Sequence, residues 1–225
     1  MNSSGASSRL WDRVFERVRR ELGDAPGCHD FAHTLRVLKN AERIASETSG
    51  CDLDTVRFGA LLHDVARPEE LASDGKLCHA ALGAEKSRRI LQEEGCGDAA
   101  FLDHVSEIVR THRYRGSLKP ATLEARIVYD ADKLDSLGAF GVARAFYFAG
   151  RIGARLHNTE EEALRSSSYS EQDSAYRDYL VKLRILPDRM LTETGRLLAR
   201  SRAAYMKDFF DRLNAEAFVG LPAGF

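Results

Sequence analysis

Seven histidines occur in this chain of 225 residues, and five of them, His33, His63, His79, His104 and His112, stand where chemistry is available. The sharpest local feature is Gly59-Ala-Leu-Leu-His63-Asp64, an apolar helix end that delivers an imidazole and a carboxylate side by side. Neighbouring helical side chains point about 100° apart, yet the two can share an ion placed between them where a helix ends and space opens. His33 follows His29 by one helical turn, so both can face the same side. Further on, Asp130, Asp132 and Asp135 form an acidic run flanked by Ile127, Val128, Leu134 and Leu137, on a segment that must be largely buried. Burying several carboxylates is costly unless cations or a metal neutralise them. Each residue alone has a plainer use: Asp64 as a cap or ion-pair partner, His33 as a packed or surface histidine, the acidic run as a solvated face. Together they make a mixed nitrogen and oxygen donor set, which suits manganese, iron, cobalt, nickel or magnesium better than a thiolate zinc site.

The elements that must carry these groups are helical nearly throughout. Leu10, Val14, Val18 and Leu22 recur at helical spacing up to Gly23 and Pro26. The pattern predicts helices from about 29 to 48, from about 52 to a stop at Pro68, from 80 to 94 and from 99 to 112. Leu123 onward leads into the acidic run, and Gly138 to Gly153 reads as one buried helix. A polar stretch from about 158 to 170 reads as a loop or short helix, and two long helices, roughly 171–185 and 191–217, close the chain. No alternating strand pattern stands out, so the expected fold is all-α with eight or more helices. Residues 1–8 read as a disordered lead-in and 9–225 as one all-helical domain, with C-terminal accessory helices over about 158–220.

Bulk properties set further bounds. A net charge of -1 argues against a general nucleic-acid binder. No apolar run has the length of a membrane span, and MNSSGASS lacks the layout of a secretory signal. Four widely spaced cysteines with no CxxC pair read as reduced thiols, which points to the cytoplasm. Tyr176, Tyr179, Leu180 and Leu183 form one apolar face, and Leu197, Leu198, Tyr205, Phe209, Phe210 and Leu213 another; they serve core packing by default and a homodimer as the alternative.

The order His33, His63-Asp64, Asp132 resembles that of the HD-domain metal-dependent phosphohydrolases, an all-helical superfamily named for its His-Asp pair. His29-Asp-Phe-Ala-His33-Thr-Leu-Arg36-Val is similar to the superfamily's first-histidine helix. Thr122-Leu-Glu-Ala-Arg-Ile-Val-Tyr-Asp130-Ala-Asp132-Lys-Leu-Asp135-Ser-Leu-Gly-Ala-Phe-Gly-Val-Ala-Arg144 is similar to the signature of small stand-alone bacterial members. The likeness spans roughly residues 25–150 and implies one divalent metal on His33, His63, Asp64 and Asp132. Asp132 is chosen over Asp130 because the family's last aspartate usually precedes a basic residue and a leucine, as in Ala131-Asp132-Lys133-Leu134. Asp130 and Asp135 remain candidates for supporting the ligands.

The resemblance extends to the chemistry. Some members use further histidines for a second metal, and His79 and His112 fall in the matching intervals; gripping a phosphate or orienting the ligands are the other roles open to them. His104 is read as structural. Asp64 is placed to orient or deprotonate a water, and the catalytic set is completed by Lys133, His79 and His112. Where some nucleotidase members carry a glutamate four residues after the HD histidine, this chain has Arg67, which stays protonated and suits phosphate instead. Arg36, Arg67, Arg113, Lys133 and Arg144 are the expected phosphate-binding cations, and Arg113-Tyr114-Arg115 a candidate to stack on a base. Manganese is the favoured metal and a small phosphate compound, a nucleotide above all, the expected partner, with a nucleoside triphosphate pyrophosphohydrolase as one form. The alternatives are a phosphodiesterase or phosphatase on another small phosphate ester, and a non-catalytic metal- or nucleotide-binding regulatory module.

Overall fold

The computed structural model describes residues 3–23, 28–113 and 118–217. Among them every regular element is helical and no strand occurs, as the periodicity predicts. The chain divides into two compact units, Met1–Asp132 and Lys133–Phe225, so the expected single domain over 9–225 has an internal division that falls within one helix.

The first unit contains α1 (Ser3–Leu22), α2 (Phe31–Ser46), α3 (Leu53–Leu62), α4 (Arg67–Ala72), α5 (His79–Glu93), α6 (Ala99–Thr111) and most of α7 (Leu123–Asp135). α1 starts at Ser3, so the stretch expected to lead in over 1–8 is helical from there on. Aspartates open three of these helices: Asp30 accepts from His33 N at 2.8 Å, Asp52 from Thr55 N at 2.6 Å, and Asp98 from Ala100 N at 3.0 Å. The core joins Val14, Val18 and Leu22 of α1, Phe58, Leu61 and Leu62 of α3, Ile90 and Leu91 of α5, and Leu102, Val105 and Val109 of α6. Trp11 closes one side of it, edge-on to Phe58 with 5.2 Å between ring centroids. α3 and α6 approach so closely that a Cβ at Gly59 would lie 2.7 Å from Ile108 Cγ2. Asn40 Nδ2 donates to Ala131 O at 3.1 Å, tying α2 to α7.

One boundary differs from the sequence reading in a way that matters. The helix expected to reach Pro68 stops at Leu62, and Pro68 instead lies in the first turn of α4. Proline has no N–H to give a helix interior, but the first turn needs none, so it opens a helix as readily as it ends one. The turn left between α3 and α4 holds the His63-Asp64 pair.

The second unit contains α8 (Gly138–Arg151), α9 (Glu160–Arg165), α10 (Ala175–Val181), a 3-10 helix over Leu183–Arg189, and α11 (Glu193–Ala217). α9 carries a capping box in which the Thr159 and Glu162 side chains each accept from the other residue's backbone N–H. Phe210 is fully buried and stacks on Tyr179 with 4.5 Å between centroids. Leu197 and Tyr205, expected on the same apolar face, are 60% and 50% exposed, so that face of α11 is split between core and surface.

Candidate metal centre

The site lies in the first unit and is built by helix ends. The Asp30 cap fixes His33 in the first turn of α2. His63 is the residue at which α3 ends, and its Nδ1 donates to Ala60 O at 2.8 Å. Asp64 follows in the turn, Asp132 projects from α7, His79 opens α5, and His112 ends α6 with Nδ1 donating to Val109 O at 2.7 Å. His33, His63, Asp64, His79 and His112 are all buried.

Two groups of donor atoms result on either side of Asp64, and a third, His29, His33 and Asp64, overlaps the first. In the first, His33 Nε2 lies 3.2 Å from His63 Nε2, 3.5 Å from Asp132 Oδ1 and 3.6 Å from Asp64 Oδ2. In the second, His79 Nε2 lies 3.2 Å from His112 Nε2, and the two rings stand 3.5 and 3.4 Å from Asp64 Oδ1. His33, His63 and Asp132, and likewise Asp64, His79 and His112, offer ligand atoms within 4.8 Å of one another. His29 adds a contact from the surface side, its Nδ1 2.8 Å from Asp64 Oδ2.

The backbone fixes the tautomer of two of these rings. A carbonyl can only accept, so the bonds to Ala60 O and Val109 O place a proton on Nδ1 of His63 and of His112. A neutral ring then has only a lone pair at Nε2. Burial, working against Asp64 and Asp132, lowers the His63 imidazole to about 3, so that ring is neutral at pH 7. With the protons of the partner rings His33 and His79 also on Nδ1, lone pairs and carboxylate oxygens converge at short range, an arrangement that a divalent cation satisfies.

Arg67 lies beside this centre. Its Nε donates to Asp64 Oδ1 at 3.0 Å and its Nη1 to Glu70 Oε2 at 2.6 Å. Burial acts to raise the Asp64 carboxyl, and the Arg67 guanidinium with His63 and His29 outweighs it, holding the group ionised well below the usual carboxylate range. Burial likewise acts to raise Glu70, and His79 and Arg67 outweigh it.

The structure therefore gathers His33, His63, Asp64, Asp132, His79 and His112 into one centre. Asp130 is fully buried two positions before Asp132, about 200° round the helix, and it joins neither group. Asp135 pairs with Arg144 at 2.6 Å in the second unit, where Lys133 is also buried. Arg36 is half-buried on α2, three residues after His33. Arg113 lies 3.2 Å from Cys78 Sγ and 3.8 Å from Glu70 Oε1, while Tyr114 and Arg115 fall outside the described residues. His104 bonds Thr122 Oγ1 at 3.1 Å, lies 3.3 Å from Glu124 Oε2 and joins neither group. Two contributors went unassigned in the sequence reading, His29 and Glu70. Spacing from His33 hinted at the first; nothing in the run Arg67-Pro-Glu-Glu70 marks its last residue.

Known proteins resemble this chain along most of its length. The HD domain family model matches residues 30–137. The YpgQ protein of Bacillus subtilis is 33% identical over 210 residues, covering 88% of this chain and 89% of that protein. A crystal structure of B. subtilis YpgQ in complex with ADP superposes with a TM-score of 0.69 at 29% identity, covering 96% of this chain and 97% of that one. A predicted HD superfamily hydrolase from an uncultured Thermotogales bacterium has a TM-score of 0.66 at 30% identity, covering 96% of this chain and 99% of its own. A paired His63-Asp64 at a helix end, companions from α2 and α7 in the matching order, and likeness along nearly the whole chain place this protein in the HD superfamily of hydrolases.

Proposed function

We propose that the chain is a metal-dependent phosphohydrolase of nucleotides, cleaving a phosphoanhydride or phosphoester and, on a nucleoside triphosphate, releasing pyrophosphate. One observation carries the reading: two imidazole pairs converge on opposite oxygens of a single buried carboxylate, Asp64. His33, His63, Asp132 and Asp64 Oδ2 would hold the first divalent cation, with manganese favoured. His79, His112 and Asp64 Oδ1 would hold the second. Such cations supply positive charge against a phosphoryl oxygen and make water more acidic.

The chain's own groups do the rest. Ionised Asp64 is held in place by Arg67 on one oxygen and His29 on the other, and so orients whatever binds between the pairs. His29, 31% exposed at its side chain, is the imidazole of the centre that reaches the surface, and its Nδ1 contact at 2.8 Å helps to hold Asp64. Arg36 and Arg113 are the nearby cations for substrate phosphates, while Arg67, already bonded to two carboxylates, serves to position Asp64. Arg144 pairs with Asp135 at 2.6 Å and is assigned to that ion pair rather than to phosphate. The ADP held by YpgQ supports a nucleotide as substrate class.

Stripping the protein with chelator, reloading it with manganese and assaying a nucleotide panel for phosphate and pyrophosphate tests this. Metal-dependent release is expected. Tight nucleotide binding with no turnover under any metal would instead make the protein a regulatory module. Retention of full metal content and activity in both His63→Ala and Asp64→Ala would remove the basis of the reading.

A further inference from the structure

We propose that Glu70 is a positioning residue that keeps the second cation position open, by holding the His79 proton on Nδ1 and offsetting the charge of Arg67. The inference rests on the two-position reading above. Glu70 is buried on α4, the short helix that Pro68 opens directly after the His63-Asp64 turn. Its Oε2 lies 2.9 Å from His79 Nδ1 and 2.6 Å from Arg67 Nη1. His79 Nδ1 is itself buried, and no in-line acceptor serves it. The Glu70 contact is bent from the direction of the ring N–H, yet a carboxylate oxygen at 2.9 Å can only accept, so the proton belongs on Nδ1.

That choice decides what the second pair of rings can do. His112 is committed to an Nδ1 proton by Val109 O, which leaves a lone pair at its Nε2. With the His79 proton on Nδ1, two lone pairs face each other across 3.2 Å beside Asp64 Oδ1, and the gap calls for a cation. With that proton on Nε2, His79 would donate to His112 across the same distance, and an ordinary hydrogen bond would close the position. Glu70 makes the closed form unfavourable, because it would set the bare Nδ1 lone pair against a carboxylate. The same oxygen neutralises Arg67, whose Nε is 3.0 Å from the Asp64 oxygen that the second cation needs. A carboxylate behind a ligating histidine is a recurrent way of fixing its tautomer, and losing one weakens metal binding about 10- to 100-fold.

The test is calorimetric titration of the metal-free protein with manganese, alongside nitrogen-15 spectra of the imidazoles. The unmutated chain is expected to take up two cations and to show His79 protonated at Nδ1. Glu70→Ala should keep the first cation with affinity within about threefold, weaken the second about 10- to 100-fold, and move the His79 proton to Nε2. Glu70→Gln, whose amide oxygen still accepts but whose charge is gone, should keep the Nδ1 proton and weaken the second cation less. If the alanine variant does not fold, the glutamine variant decides, with unchanged second-cation affinity overturning the inference. Equal weakening of both cations, or of neither, in Glu70→Ala would overturn it too, as would an unmoved proton. A single cation in the unmutated chain would sink the two-position reading instead, so the two failures are told apart by the starting protein.

Discussion

The two imidazole pairs of the centre match in spacing and differ in charge. Each sets Nε2 against Nε2 at 3.2 Å and each uses one oxygen of Asp64. The pair on α2 and at the end of α3 adds a second carboxylate, Asp132, 3.5 Å from His33 Nε2. The pair on α5 and at the end of α6 has no carboxylate of its own among its donor atoms and has Arg67 bonded to the oxygen it shares. Opposite charges a few ångströms apart interact by several kcal/mol at an effective dielectric near 20. Equal geometry need not make equal sites: on the two-cation proposal the first position is expected to fill before the second, and the HD motif names residues of the first.

Asp64→Asn should do the most damage, because it weakens both positions at once. Lewis-acid stabilisation is worth several kcal/mol, so turnover is expected to fall about a thousandfold, with both cations lost in a metal-content measurement. Survival of either cation at full affinity would show that the positions do not share this residue.

Asp132→Asn and His112→Gln separate the pairs. The first should abolish the tight cation and spare the weak one; the second should do the reverse and cost less activity. Metal titrations in which the two variants behave alike would erase the contrast. Arg67→Met gives a smaller effect of opposite sign. Removing a cation 3.0 Å from Asp64 Oδ1 should tighten the second position, by up to about tenfold, while leaving the first nearly unchanged. A weakened second cation would mean that Arg67 matters more for holding Asp64 in place than for its charge.

Acid should act on stability, and gradually. Burial lowers His63 to about 3 and His79 to about 4, whereas an imidazole in the unfolded chain titrates near 6.5. The folded values lie below the unfolded one, so the unfolded chain binds more protons in that interval. Stability of the metal-free protein is then complete above about pH 6.5 and declines as pH falls toward 4. Urea midpoints measured from pH 7.5 to 4.5 should decrease steadily, and a flat profile would contradict the buried neutral rings.

Much of this centre was legible in the sequence because proteins that share a fold carry the residues of a shared site in one order along the chain. His33, His63-Asp64 and Asp132 kept that order, and apolar neighbours marked their segments as buried. Glu70 was invisible for a physical reason: an acidic residue just after a helix-opening proline is what a solvated first turn also looks like. Arg67 reads as a phosphate cation from its type alone, and only the fold reveals that Asp64 and Glu70 claim it. The same holds for the break after α10. Leu180, Leu183 and Leu186 recur every three residues, a 3-10 period that is easily taken for the α-helical one over so short a stretch. α11 was placed nearly to the residue, yet its apolar face was not, since period alone cannot say how much of a helix finds a neighbour.

Trp11 is the sole tryptophan of the chain, and its indole lies edge-on to Phe58 within the first unit. Its emission is consequently an optical reporter of that unit alone, while far-ultraviolet ellipticity sums the helices of both. Melting curves followed by the two signals coincide if the chain unfolds in one step and separate if the first unit melts on its own. Added manganese would then move the fluorescence curve and leave part of the ellipticity behind.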